Sequence, residues 1–186
     1  QDWIELLKQG EARATKGIKL LSDYQGVDEL TVDWSPAFDY ARKRKWIVLH
    51  HDWRDEQHLF EYAQAYPELT FLIGHPTLRF KDQKTIVSKC DNVYQSTCAA
   101  FVTPGFSLFS IEDMYHSLPL EKILFGSDAL DLDLGTAIGP IAYANIPEPA
   151  KEKILGYNAL ELAKKLDWDL KHIERLYGEK RNDKRL

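Results

Sequence analysis

A strand that ends in imidazoles narrows the folds open to this chain more than any other stretch. Trp46-Ile47-Val48-Leu49 is a run of four apolar residues, and His50, His51, Asp52 and Trp53 follow without a break. An apolar run containing β-branched residues and lacking polar alternation is the pattern of a strand buried on both faces. In parallel α/β folds, ligands and chemistry sit beyond the carboxyl ends of the strands. Two further runs end in the same way, Thr70-Phe71-Leu72-Ile73-Gly74-His75 and Lys122-Ile123-Leu124-Phe125-Gly126-Ser127-Asp128. Three strand ends thus deliver His, His and Asp to one rim, a donor set suited to a divalent metal.

Helical patterns separate these runs. Trp3 to Thr15 reads as an amphipathic helix, and Lys16 to Leu21 as a short strand. After a loop over 22–35, Pro36 fits the first turn of a helix running to Lys45. Asp55 to Tyr66 is helical and Pro67 marks its end. Asp82 to Lys89 and Ile111 to Leu118 are further helices, with a strand at Val93 to Cys98 between them. Pro147 to Leu166 reads as one long closing helix, and a charged tail over 167–186 follows. We read the whole, residues 1–186, as a single domain.

Composition removes several classes. With 186 residues, 44% apolar and 28% charged, the chain suits one ordinary globular domain. A net charge of −5 leaves no basic footprint, so no nucleic-acid partner is expected. No apolar run approaches the roughly 20 residues of a membrane span, and no signal pattern opens the chain, so a cytoplasmic location is expected. Cys90 and Cys98 lack metal or redox spacing and read as buried thiols. Strand count alone fits an open, doubly wound sheet, because an eight-stranded barrel typically needs about 250 residues.

The order of the motifs points elsewhere. Gly17-Ile18-Lys19, Val48 to Trp53, Tyr66 to Pro76, Asn92 to Thr97, Ile123 to Ala129 and Lys153 to Ala159 together resemble the amidohydrolase-2 family of metal-dependent hydrolases and decarboxylases. The likeness runs from about Lys16 to Leu166, and its most specific pieces are Tyr66 to His75, Ile123 to Asp128 and Ile154 to Ala159. It implies a (β/α)₈ TIM barrel of which this chain carries strands four to eight. The family's His-x-His pair belongs to the first strand, and no His-x-His occurs here. The first strands are then missing from this chain, or a barrel-derived protein has lost part of its metal site. The start at Gln1 in what reads as mid-helix favours the former.

The resemblance also implies roles. His51 matches a fifth-strand metal ligand, while His50 faces the other side of the strand by alternation and packs under a helix, or is itself the ligand if the register shifts by one residue. His75 matches a histidine that is a ligand or a proton-handling neighbour of the ion. Asp128 matches an eighth-strand aspartate that ligates the metal and takes the proton from activated water. Arg79 and Trp53, on presumed rim loops, are candidate substrate contacts, and Tyr24 and Arg54 lie in similar loops. Lys19 is a scaffold or substrate contact rather than a carbamylated metal bridge.

The expected cofactor is a divalent metal, zinc first, with manganese or iron as alternatives. The expected activity is attack of metal-activated water on an ester, lactone or amide of a small-molecule substrate, with non-oxidative decarboxylation as a close neighbour. The rival reading is a non-catalytic partial barrel serving as a binding or assembly module. Its open sheet edges would need a partner, either a second copy in a homo-oligomer or an N-terminal segment that completes the barrel.

Overall fold

The computed structural model describes residues 3–22, 24, 26–51, 53, 55–76, 80–98, 110–129, 131–171 and 173. Helices and strands alternate along it. Helix α1 (Trp3–Ala12) precedes β1 (Gly17–Leu20), α2 (Ser35–Arg42), β2 (Ile47–His50), α3 (Glu56–Ala65), β3 (Thr70–Ile73), α4 (Phe80–Lys89) and β4 (Val93–Ser96). Then come α5 (Ile111–Ser117), a 3₁₀ turn (Leu120–Lys122), β5 (Ile123–Leu124), α6 (Leu134–Ala142), α7 (Glu148–Glu152) and α8 (Asn158–Lys165). Among the described residues, no helix is long and apolar enough to cross a membrane.

The five strands form one parallel sheet in the order β1-β2-β3-β4-β5. A doubly wound sheet reverses its strand order at a switch point. This sheet never reverses, so each βα unit steps the same way, as in a barrel. The open sheet that fitted the strand count is thereby corrected: winding direction, not strand number, separates the two architectures.

Strand alternation gives the sheet two unlike faces. Val48, Phe71, Ile73, Val93 and Ile123 are fully buried under the helices, in one cluster with Phe38 and Ala41 of α2, Leu59 and Ala63 of α3, and Val87 of α4. Phe38 anchors this layer, meeting Phe71, Tyr62 and Tyr66 edge-on at centroid distances of 5.4, 4.9 and 5.5 Å. The opposite, inner face carries Ile47, Leu72, Tyr94 and Leu124, which pack against Leu162, Leu166 and Trp168.

Two departures from the sequence reading have local causes. The closing helix is not uniform: a π-helical turn, Lys153–Tyr157, separates α7 from α8. It leaves the Ile154 carbonyl to accept from the Phe125 N–H at 3.1 Å, and Asn158 Nδ2 donates to Leu120 O and Ile123 O at 2.6 and 2.8 Å. These bonds tie the end of β5 to the closing helix, and hydrophobic periodicity carries no sign of them. Helix α6 was not expected at all. Gly135, Gly139 and Pro140 disfavour a helix, yet Asp133 caps it by accepting from Thr136 N at 3.1 Å.

Candidate functional site

Every residue of interest lies just past a strand. His51 follows the last residue of β2, His75 comes two residues after β3, Cys98 two after β4, and Asp128 four after β5. Because the strands are parallel and in register, these positions gather at one end of the sheet.

His75 is the centre of the group. It is buried, and its Nδ1 lies 3.0 Å from the Cys98 carbonyl. A carbonyl only accepts, so Nδ1 carries a proton, and Nε2 is the nitrogen that faces into the site. That Nε2 lies 3.0 Å from His51 Nδ1, with the two rings nearly perpendicular at a centroid distance of 4.3 Å. A ligating atom from each of His75, Cys98 and Asp128 falls within 4.8 Å of the others.

Backbone geometry brings Asp128 in. Its φ of 54° lies in the left-handed region, which aspartate tolerates better than most residues. Its carbonyl accepts from Asp131 N and Leu132 N at 3.1 and 3.0 Å, so a tight turn follows it. Asp128 is therefore both a turn residue and a site residue. Gly126 allows the approach: a Cβ there would fall 2.2 Å from Ser96 Oγ and 2.8 Å from Cys98 Cβ. Gly74 does the same for β3, where a Cβ would meet the His50 carbonyl at 2.7 Å.

Cys98 is a thiol, not a thiolate. Burial, with the Asp128 carboxylate next to it, pushes its pKa up to about 12. Without a bound cation, the donors that remain at neutral pH are two imidazoles and a carboxylate. Two donors about 2.1 Å from one ion can be at most about 4.2 Å apart. The 3.0 Å between the histidines satisfies this bound; among the described residues the trio that converges to within 4.8 Å is His75, Cys98 and Asp128, and His51 adjoins it at His75. A ligating histidine usually gives its other N–H to a carbonyl or carboxylate, as His75 gives Nδ1–H to Cys98 O. The residues present fit a divalent metal.

The other sequence candidates part ways here. His50 faces away from His51, as alternation requires, and its Nε2 lies 3.5 Å from Glu29 Oε2 and 3.4 Å from Ser22 Oγ. Trp53, expected as a rim contact, is instead fully buried, its ring tilted over His50 at 4.5 Å. Trp53 leaves the rim because it has a core to fill beside Phe71. Tyr24 is exposed and meets His51 edge-on at 5.4 Å, so it stands over the site. Arg79 and Arg54 lie outside the described residues. Ser22 and Glu29, both buried at the β2 end, were not foreseen, and a lone glutamate in a polar loop carries no sequence signal of burial.

No curated protein matches the chain by sequence. Solved structures do match by shape. An uncharacterized TIM-barrel protein from Bordetella bronchiseptica superposes with a TM-score of 0.67 at 16% identity, covering 88% of this chain and 62% of its own. The 4-oxalomesaconate hydratase from Rhodopseudomonas palustris gives 0.61 at 19% identity, covering 93% and 63%. A dihydroxybenzoic acid decarboxylase from Polaromonas sp. JS666, with bound manganese and the inhibitor 2-nitroresorcinol, gives 0.53 at 16%, covering 74% and 55%. The chain thus spans less than two thirds of the length of each. At these identities the likeness establishes a fold shared with TIM-barrel proteins. The amidohydrolase family profile matches residues 4–163, the stretch that holds every candidate site residue. The chain therefore belongs to the amidohydrolase family, whose members are divalent-metal enzymes.

Proposed function

We propose that this chain carries part of the active site of a divalent-metal-dependent enzyme that hydrolyses an ester, lactone or amide of a small molecule, or removes a carboxylate from one. The observation behind the reading is the pair of bonds on His75: Nδ1–H given to the Cys98 carbonyl, and Nε2 left facing His51 Nδ1. The named activities of two structural neighbours, a hydratase and a decarboxylase, are the support for keeping lyase chemistry beside hydrolysis in this proposal.

In this reading His51, His75 and Asp128 hold the ion, zinc by the preference of a mixed His/Asp set, with manganese or iron as alternatives. When bound, it supplies a Lewis acid and lowers the pKa of a coordinated water. Asp128 handles the proton, since a carboxylate beside the ion accepts it at neutral pH. Buried His75, its Nδ1–H held by the Cys98 carbonyl, turns Nε2 to the ion. Tyr24 flanks the entrance, and Arg79 pairs with a substrate carboxylate. The strands correspond to barrel strands four to eight. A further segment or a second copy completes the barrel, and the enzyme works in the cytoplasm.

Metal analysis of protein purified without chelator tests this. About one divalent ion per chain is expected, lost in His51→Ala. Absence of bound metal, with activity unchanged in Asp128→Asn, would end the reading.

A further inference from the structure

The two histidines of β2 are consecutive, so their side chains leave opposite faces while their Cα atoms stay about 3.8 Å apart. His51 faces His75. His50 faces a buried polar cluster that the chemistry above does not use. Its Nε2 lies 3.5 Å from Glu29 Oε2 and 3.4 Å from Ser22 Oγ, and Ser22 Oγ donates to Glu29 Oε2 at 3.4 Å. His50 and Glu29 are each 1% exposed and Ser22 is 2% exposed, so no substrate reaches them. Serine and glutamate meet the same ring nitrogen, so the three do not form a nucleophilic relay, which needs the acid on the other nitrogen.

The cluster is placed to do something else. A carboxylate taken out of water is costly unless it is paired. Burial of Glu29 therefore fastens the β1–α2 loop to the His50 ring. The other end of His50 is fastened as well: its carbonyl accepts from Gly74 N at 2.8 Å, and Gly74 is the residue before His75. One residue thus has its ring held by Glu29 and Ser22, its successor facing the site, and its carbonyl bound to the neighbour of His75. Trp53 closes the pocket over the ring at 4.5 Å. A shift of the His50 ring moves both His51 and the Gly74–His75 peptide, and the 3.0 Å separation between the two imidazoles goes with them.

We propose that Glu29, acting through His50, is a positioning residue that sets the spacing of the His51 and His75 donors. The proposal rests on the metal-site reading above. It concerns how the donors are held, not whether they ligate.

The test is Mn²⁺ binding to the protein, read by electron paramagnetic resonance and by titration, with thermal melting alongside. Glu29→Gln should bind Mn²⁺ about tenfold more weakly and change the spectrum of the bound ion, the size of effect seen when outer-shell partners of ligands are altered. Glu29→Asp, which keeps the carboxylate, should recover part of the loss. A role in stability alone would lower the melting temperature and leave the affinity of the folded protein unchanged. That result, or wild-type affinity in Glu29→Gln, overturns the proposal while the metal site stands. Should Glu29→Gln fail to fold, Ser22→Ala removes only a hydroxyl and should weaken binding about threefold. Unchanged affinity there is equally fatal. Wild-type protein that binds no Mn²⁺, or that matches His51→Ala, overturns the site reading and the positioning role together.

Discussion

On the helix-covered face of the sheet Val48, Phe71, Ile73, Val93 and Ile123 are fully buried, whereas on the inner face Ile47, Leu49 and Leu72 remain half-buried. Beside them lies a groove of about 300 Å³ lined by Gly17, Lys19, Ile47, Leu49, Leu72 and Trp168. The first face is packed from several helices at once. Among the described residues, the second packs against Leu162 and Leu166 and the segment after α8, where Trp168 Nε1 donates to the Lys45 carbonyl at 3.3 Å and Asp167 pairs with Lys45. Stability resides on the outer face. The histidines and the aspartate stand at the end of the strands, with His75 buried and His51 and Asp128 half-buried. A fold can only keep polar groups at such a rim because its other face is closed.

That contrast can be broken from either side. The largest effect expected is on the rim: Asp128→Asn should lower kcat by roughly 10³-fold, within the range for general acid–base groups, with little change in melting temperature. A parallel fall in stability would mean that the turn, and not the proton, is what Asp128 supplies. On the outer face Phe38→Ala removes the ring that three aromatics contact, and should cost about 3–5 kcal/mol in denaturant unfolding. Metal affinity of the folded fraction should survive it, and loss of both together would erase the division between the faces.

Smaller changes sharpen the comparison. Lys122 is buried, and its Nζ donates to Val87 O and Cys90 O at 2.7 Å each, tying the end of α4 to the start of β5. Lys122→Met should destabilise by about 1–3 kcal/mol, because two buried carbonyls lose their donor. Burial lowers the Lys122 pKa, so in the wild type stability should rise slightly as pH climbs from that lowered value towards the unfolded lysine value near 10.4. The methionine variant should lack that rise. Least of all, Tyr24→Ala should leave stability within about 0.5 kcal/mol, since Tyr24 is an exposed residue. A higher KM with kcat unchanged would place it at the entrance, and an unchanged KM would remove it from the site.

The rim was legible because strands that end in histidine or aspartate combine a strong periodic signal with an abrupt polar stop. His51, His75 and Asp128 could each be named from their own run of residues. Trp53 could not be placed, since the same local pattern allows a rim contact or a core side chain, and only the space beside Phe71 and His50 chooses between them. Helix α6 escaped because its glycines and proline carry the signature of a loop, and its capping aspartate is one among several nearby acids.

By itself the sequence determined the alternation of strands and helices, the faces on which apolar residues fall, and which side chains stand at strand ends. These are local properties, set by side-chain periodicity over a few residues. Only the tertiary structure decided the sequential strand order, the bond from His75 to the Cys98 carbonyl, and the burial of Glu29 against His50. Each of those depends on groups separated by more than 20 residues coming within a few ångströms, and no local pattern of residue types encodes such a distance.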